Sequence, residues 1–243
     1  MKIDVIIPAH HPQKRFLELV ERLENQSEPV NRIVIVNTEK EGFAELIDCE
    51  AFCHTHPKAD LFHIAKEEFD HGGTRNLAVR RSDADFFVCM TQDALPADSF
   101  LIENLMKTLL GRKDTAAAYA RQLAEEDCSM IERYTRQFNY PEQGCYKSKE
   151  DLPRLGIKTY FCSNVCAVYR RDVFEKLGGF ASPTIFNEDM ILAAKAVQAG
   201  YSIGYAAGAR VIHSHNYSGK EQLARNFDLG VSHAQYPEIF QGV

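Results

Sequence analysis

The sequence contains no stretch close to the ~20 consecutive apolar residues that a membrane-spanning helix needs. It has no long basic run, and its net charge of −6 argues against nucleic acid as a partner. It has no internal repeat and no low-complexity segment. The apolar run Val5-Ile6-Ile7 near the start is too short for a signal peptide. The 243 residues therefore suit one large α/β domain, or one domain with a small lobe.

The cysteines are odd in number, seven in all, and scattered along the chain. Cys89 and Cys166 lie inside apolar segments, which is typical of buried free thiols in a reducing compartment. We therefore expect a cytoplasmic protein. Four residues of zinc-binding type are crowded together: Cys49, Cys53, His54 and His56. Their spacing does not match that of a common structural zinc site.

The first half of the sequence alternates between strands and helices. Short apolar runs predict strands at 3–7, 33–36, 61–65 and 86–90. Apolar residues at helical spacing and helix-start signals predict helices at 16–23, 43–47, 74–79 (capped by Thr74) and 96–109. Repeated βα units of this size predict a mostly parallel, doubly wound sheet.

The second half is less regular. Residues 120–158 are polar and irregular, with several aromatic residues between 134 and 146. Strands are predicted at 161–169, 202–206 and 209–212, and helices at 171–177, 188–198 and 218–228. Because doubly wound sheets bind ligands at the carboxyl ends of their strands, we expect the site near 8–11, 37–39, 66–74 and 91–95.

Two segments of the first half have residues suited to a phosphate ligand. Asp93 directly follows a buried strand, where its carboxylate can bind a divalent cation that bridges two phosphates. An aspartate that starts a turn before Pro96 is an equally good interpretation. Gly72 and Gly73 let a backbone approach a ligand, and Arg75 can pair with phosphate, although a generic glycine turn would look the same.

Two segments of the second half carry groups of catalytic type. Glu188 and Asp189 begin a helix, where one of them could be a general base or both could simply favour the helix dipole. His213 and His215 follow a strand and alternate onto one face, which suits a metal site or a pair of solvated loop histidines.

In this order, the segments resemble the family 2 inverting glycosyltransferases with the GT-A fold. Val5 to Ala9 is similar to the family's first strand and nucleotide-contacting turn, and Thr74-Arg75-Asn76 to its Ala-Arg-Asn segment. Gln92-Asp93-Ala94 falls on the Asp-x-Asp-type motif. The segment Leu177 to Phe180, followed by Glu188-Asp189, matches the Gly-Gly-Phe and Glu-Asp pair.

The resemblance implies roles for individual residues. Asp189 would be the catalytic base, and Glu188 would orient the site or bind the acceptor. Asp93 would bind Mg²⁺ or Mn²⁺ together with His213 or His215. Asn37 and Thr38 stand where the family usually has two acids. The residues expected to bind the donor are Pro8, Ala9, His10, Asn37, Thr38, Asp70, Gly73, Arg75 and Gln92.

Further details resemble the bacterial rhamnosyltransferases that build surface polysaccharide, notably residues 69–76 and 213–218. That resemblance implies metal-dependent, inverting transfer of rhamnose from dTDP-rhamnose to a saccharide or lipid-linked acceptor. It also implies one GT-A domain over 1–243, with a nucleotide-binding half at 1–119 and a small acceptor-side lobe within an acceptor-binding half at 120–243. Related chains often continue further, so we expect Val243 to be a truncation point. Peripheral association with the inner face of the membrane follows from a lipid-linked acceptor.

Some alternatives stay open. The aromatic segment 134–146 would shape the acceptor side or would simply pack a small lobe. A sugar nucleotidyltransferase would share the sheet and the metal, but Pro8-Ala9-His10-His11 replaces the glycine-rich basic loop expected after its first strand. A non-catalytic module that binds nucleotide sugars would not need the pair Glu188-Asp189.

Overall fold

The structure is a computed structural model that describes residues 1–241. The truncation expected at Val243 therefore lies outside the described residues. The strands are β1 (Ile3–His10), β2 (Arg32–Thr38), β3 (Ala59–Ile64), β4 (Phe86–Met90), β5 (Leu95–Pro96), β6 (Thr115–Leu123), β7 (Cys145–Lys147), β8 (Cys166–Arg170) and β9 (Ser202–Ile212). The helices are α1 (Lys14–Glu24), α2 (Lys40–Ala44), α3 (Cys49–Thr55), α4 (His71–Arg81), α5 (Leu101–Leu110), α6 (Met130–Asn139), α7 (Leu152–Leu155), α8 (Arg171–Lys176), α9 (Glu188–Gln198), α10 (Gly219–Gln235) and α11 (Pro237–Phe240).

The strands of residues 1–241 form one mixed sheet with the strand order β3-β2-β1-β4-β8-β6-β9-β5. The short strand β7 also pairs with β9. β3, β2, β1 and β4 are parallel, as are β6 and β9. The pairings of β8 with β4 and β6, and of β5 and β7 with β9, are antiparallel. The longest pairings are therefore parallel, and the predicted α/β fold is confirmed.

The core lies in two apolar layers, one on each face of the sheet. α1, α3 and α5 contribute to one layer, and α4, α8 and α9 contribute to the other. β1 is apolar throughout because Val5 and Ile7 belong to the first layer and Ile6 to the second. Phe16, on the predicted inner face of α1, is buried with the rest of that face. Helices on both faces make the sheet doubly wound.

Several predicted elements differ from the structure. The helix predicted at 96–109 begins only at Leu101, because Leu95 and Pro96 form β5, and the one predicted at 43–47 ends at Ala44. Thr74 is not a helix cap, because α4 begins at His71 and the carboxylate of Asp70 accepts the N–H of Gly73. The strands predicted at 202–206 and 209–212 are one strand, β9, whose pairing with β6 shifts register after Ala120. The strand predicted at 161–169 begins only at Cys166. The helix predicted at 218–228 continues to residue 235.

The region 120–158 is more ordered than its composition suggests. β6 is a buried strand from Thr115 to Leu123 that the sequence did not predict, and α6 is a ten-residue helix from Met130 to Asn139. Ser129 caps α6 by accepting the N–H of Glu132. Among residues 1–241, no helix combines the length and the apolar character needed to cross a bilayer.

Candidate active site

An open cleft with a volume of 540 Å³ lies at the carboxyl ends of β1 and β4. The start of α9, the segment 161–165, the residues after β9 and part of α10 form its other walls. Ten of the predicted site residues line this cleft: Pro8, Ala9, His10, Arg75, Gln92, Asp93, Glu188, Asp189, His213 and His215. Four other predicted residues are not among those lining it: Asn37, Thr38, Asp70 and Gly73.

Asp93, His213 and His215 form a compact triangle of metal-ligand atoms. The Nε2 atom of His213 lies 3.6 Å from Asp93 Oδ1, and that of His215 lies 3.4 Å from Asp93 Oδ2. The two Nε2 atoms are 3.1 Å apart. Each residue offers one ligand atom within 4.8 Å of the others. Two imidazoles and one carboxylate form a donor set for a divalent transition metal, whereas Mg²⁺ prefers oxygen ligands.

The surroundings of His213 favour its neutral form. Its Nδ1 lies 3.1 Å from Oε1 of Gln122, a carbonyl oxygen that fixes the proton on Nδ1 and leaves the lone pair on Nε2. Burial lowers the pKa of His213 to about 3, although Asp93 opposes this shift. Burial also lowers the pKa of His215. Both imidazoles are therefore neutral at pH 7, which is the form that binds metals.

Gln92 joins the ends of two neighbouring strands. Its Oε1 accepts the backbone N–H of His10 at 2.8 Å, and its Nε2 donates to the carbonyl of His10 at 3.0 Å. The loop that carries Asp93 is thereby fixed to the end of β1. Gln92 lines the cleft, but both ends of its amide are used in this contact.

Glu188 lies in a buried ion pair at the base of the cleft. Its Oε1 is 3.1 Å from Nη1 of Arg75, and both side chains are about 7% exposed or less. The same oxygen accepts the Nδ2 hydrogen of Asn164 at 2.9 Å, and Asn164 in turn accepts the hydroxyl of Tyr169 at 2.7 Å. These contacts occupy the Oε1 atom of Glu188 and fix its side chain, so it is poorly placed to act on a substrate proton.

Asp189 has a different environment from its neighbour. Its Oδ2 accepts the backbone N–H of Asn164, and its Oδ1 accepts that of Met190, both at 2.8 Å. Loss of water at the base of the cleft, followed by the charge of Glu188, raises the pKa of Asp189 to about 7. Of the two adjacent carboxylates, Asp189 is the one whose environment suits proton transfer near neutral pH.

The other predicted donor-binding residues have structural contacts. The Oδ1 atom of Asp70 accepts the N–H of Thr184 at 2.6 Å, so Asp70 holds the loop before α9 against the start of α4. The other carboxylate oxygen of Asp70, Oδ2, accepts the N–H of Gly73. Asn37 is fully buried, and its Nδ2 donates to the carbonyl of Glu39 at 2.9 Å. Oδ1 of Asn37 and Oγ1 of Thr38 are buried without a hydrogen-bond partner among the described residues.

The sequence did not predict several residues of the cleft. Asn164 binds both acids of the pair, and Gln122 binds His213. Arg225 lines the cleft with its guanidinium over the rings of Phe186 and Tyr217, at 5.2 and 4.8 Å. No local sequence signal marks Arg225 as a residue of the cleft. Its position there depends on how α10 packs against residues such as Phe186, which are distant in the chain.

The aromatic residues of segment 134–146 have three different environments. Tyr140 lines the cleft, whereas the hydroxyl of Tyr146 donates to the carbonyl of Thr108 and packs against α5. Tyr134 and Phe138 point outward from α6, at 66% and 61% exposure.

The zinc-type residues near 49–56 do not form a metal-ligand group among residues 1–241. His56 instead lies 2.8 Å from a carboxylate oxygen of Glu24. A second group of ligand type, His10, His11 and Glu39, lies at the ends of β1 and β2, with both histidines exposed. His10 and Glu39 already pair there at 3.1 Å.

Comparison with known proteins finds a family model and relatives that match this chain. A family model described as "Glycosyl transferase family 2" matches residues 4–178. The chain is 40% identical over 240 residues to the O-antigen chain rhamnosyltransferase RfbN of Salmonella typhimurium, an alignment that covers 98% of this chain and 74% of the relative. It is 38% identical over 237 residues to the O-antigen chain rhamnosyltransferase WbaN of Salmonella anatum, covering 97% of this chain and 73% of the relative.

Solved structures are similar in fold. A mannosyltransferase from Pyrobaculum calidifontis, in complex with GDP-Man and Mn²⁺, superposes with a TM-score of 0.68 at 16% identity and covers 95% of this chain and 61% of that one. TarS 1–349 of S. aureus in complex with UDP-GlcNAc gives a TM-score of 0.64 at 16% identity, covering 92% and 61%. The chain thus spans about three fifths of these solved chains. The expected GT-A type of fold is confirmed.

Proposed function

The chain belongs to glycosyl transferase family 2 and is a glycosyltransferase, and from that premise we propose its donor, metal and mechanism. It transfers rhamnose from dTDP-rhamnose to a saccharide or lipid-linked saccharide, with inversion at the anomeric carbon and with Mn²⁺ or Mg²⁺ bound. The rhamnose donor rests on two relatives named as rhamnosyltransferases. The single structural observation that carries the proposal is one cleft lined by both the Asp93-His213-His215 triangle and the Glu188-Asp189 pair.

The triangle would hold the metal against the donor diphosphate. Bound there, the ion would neutralise charge on the leaving group. Because Asp93 is the one acid of the triangle, the site carries less negative charge than a site with two carboxylates. Of the two ions, Mn²⁺ is the transition metal and is therefore more compatible with two imidazole ligands than Mg²⁺, which prefers oxygen.

Residues of the chain would complete the donor site. Arg225 has no carboxylate within 4 Å among the described residues, so its charge is available to a phosphate. Pro8, Ala9 and His10 at the end of β1 border the same cleft and would contact the nucleotide.

Asp189 is the proposed catalytic base. It would take the proton of the acceptor hydroxyl while that oxygen attacks the anomeric carbon from the side opposite the diphosphate. One base is enough for inversion, because no covalent sugar intermediate is formed. Glu188 is a positioning residue in this mechanism, because Arg75 and Asn164 already engage its Oε1 atom.

The acceptor would lie against the aromatic side of the cleft. Tyr140, Phe161, Phe186 and Tyr217 line it and offer faces on which sugar rings pack.

A lipid-linked acceptor would also bring the chain to a membrane surface on the cytoplasmic side. The outer face of α6 exposes Met130, Ile131, Tyr134 and Phe138, and Lys158 Nζ lies 4.9 Å from the centre of the Phe138 ring. Apolar and aromatic side chains with a cation beside them suit an interface with anionic headgroups. Cosedimentation with phosphatidylglycerol-containing vesicles should fall for Phe138→Ser and stay unchanged for Phe100→Ser, an exposed phenylalanine elsewhere. Equal binding by both variants would contradict this surface.

A donor screen tests the function. The protein is incubated with dTDP-rhamnose, UDP-sugars and GDP-sugars, and the released products are identified by mass spectrometry. Release of dTDP from dTDP-rhamnose supports the proposal, and preference for another nucleotide sugar contradicts the rhamnose donor. Formation of pyrophosphate would indicate a sugar nucleotidyltransferase, and binding without turnover would indicate a non-catalytic module.

A further inference from the structure

One arginine outside the predicted site touches every segment that carries a metal ligand. Arg15 is the second residue of α1 and is not among the residues that line the cleft. Its Nε donates to the carbonyl of Asp93 at 3.1 Å, and its Nη2 donates to the carbonyl of Ile212 at 3.2 Å. The same Nη2 pairs with the carboxylate of Glu125.

Each of these contacts leads directly to a ligand of the triangle. The carbonyl of Asp93 belongs to the ligand itself, and Ile212 immediately precedes His213. Glu125 donates its backbone N–H to Oγ of Ser214, which lies between the two histidines, at 3.0 Å. One guanidinium therefore joins two segments that are 120 residues apart in the chain, Asp93 and the His213 strand end.

We propose that Arg15 is a positioning residue that fixes the geometry of the metal site formed by Asp93, His213 and His215. The inference rests on the proposed metal site. Arg15 acts through the backbone, so it binds neither the ion nor the donor. Partners of this kind that orient metal ligands typically contribute about 10–100-fold to metal affinity.

The direction of the change in metal affinity distinguishes a positioning role of Arg15 from a purely electrostatic one. Arg15 is a cation beside a site for a cation, so removal of its charge alone would strengthen metal binding by reducing repulsion. Loss of positioning would weaken it. A weaker affinity in a variant without the charge can therefore come only from lost geometry.

The test measures Mn²⁺ affinity by electron paramagnetic resonance of the free ion, with Mn²⁺ alone and with Mn²⁺ plus dTDP. Arg15→Gln should raise the Kd for Mn²⁺ by about tenfold or more. Arg15→Lys, which keeps the charge but cannot direct donors to all three partners, should also weaken binding. If Arg15→Gln does not fold, the Kd of Arg15→Lys for Mn²⁺ tests the positioning role instead.

Arg22 provides a matched control, two turns further along α1. Its Nη1 donates to the carbonyl of Pro96 at 2.6 Å, an arginine–carbonyl contact in β5, three residues beyond Asp93. Arg22→Gln should leave the Kd for Mn²⁺ unchanged. Wild-type affinity in both Arg15 variants, or equal loss in Arg22→Gln, would overturn the inference. Absence of Mn²⁺ binding in the wild-type protein would instead overturn the proposed metal site, and the inference with it.

Discussion

The pH dependence of turnover gives the sharpest test of Asp189 as the base. A base must be ionised to accept a proton, and burial next to Glu188 raises the pKa of Asp189 to about 7. With that pKa, roughly one tenth of the molecules are active at pH 6 and roughly nine tenths at pH 8. Turnover with saturating donor and acceptor should therefore rise through pH 7 and level off above pH 8.

Asp189→Asn should remove this rise as well as most of the rate. General-base help is typically worth about 10²–10⁴-fold, which corresponds to about 3–5 kcal/mol of transition-state stabilisation. The asparagine keeps the shape of the side chain, and its Oδ1 can still accept a backbone N–H. Donor binding by titration calorimetry should therefore change little, and the protein should stay folded.

Two further variants define the origin of the shift. Glu188→Gln removes the neighbouring charge, so the rise in turnover should move to lower pH. Asp172→Asn changes an exposed acid in the first turn of α8 and should leave the profile unaltered. Near-normal turnover in Asp189→Asn, or a rise through pH 7 that persists in that variant, would refute the assignment.

Three other changes test the remaining parts of the site and its support. Asp93→Ala removes the one carboxylate of the triangle and should weaken Mn²⁺-dependent binding of dTDP by more than about tenfold; unchanged calorimetry would contradict the metal site. Arg75→Met should cost about 3–5 kcal/mol in denaturant unfolding because it leaves Glu188 buried and unpaired. Adding Glu188→Gln should recover part of that loss, and additive losses would argue against the ion pair. Gly72→Ala places a Cβ 1.8 Å from the carbonyl oxygen of Ala181 and should lower stability by about 1–3 kcal/mol, whereas Gly230→Ala, with open space around it, should not.

The elements that could be predicted from the sequence are those with a local signal. The continuous apolar run of β1 marks a strand buried on both faces, and the spacing of Phe16 and its partners marks the inner face of α1. β6 was missed because its segment, Thr115 to Leu123, is rich in alanine, which favours strands weakly and carries no clear period. α6 was missed because it exposes apolar residues instead of burying them.

The site residues that could be predicted are likewise those with a local sequence signal. Asp93, Asp189, His213 and His215 belong to motifs with fixed spacing, so the sequence could name them and the structure brings them to one cleft. Asn164 has no such signal. Its contacts with Glu188 and Asp189 arise because the segment after 160 approaches the start of α9, a meeting of chain segments that local pattern does not encode.

The single acid of the metal motif has a physical explanation in the contact between Gln92 and His10. The amide of Gln92 accepts one hydrogen bond and donates another to the same backbone residue. A carboxylate there could accept the N–H of His10, but it would face the carbonyl oxygen of His10 without a proton to donate. The neutral side chain that joins β1 to the Asp93 loop therefore disfavours a second acid at this position of the motif. The proposed metal site would take its other ligands from elsewhere, and His213 and His215 at the end of β9 lie within 4 Å of Asp93.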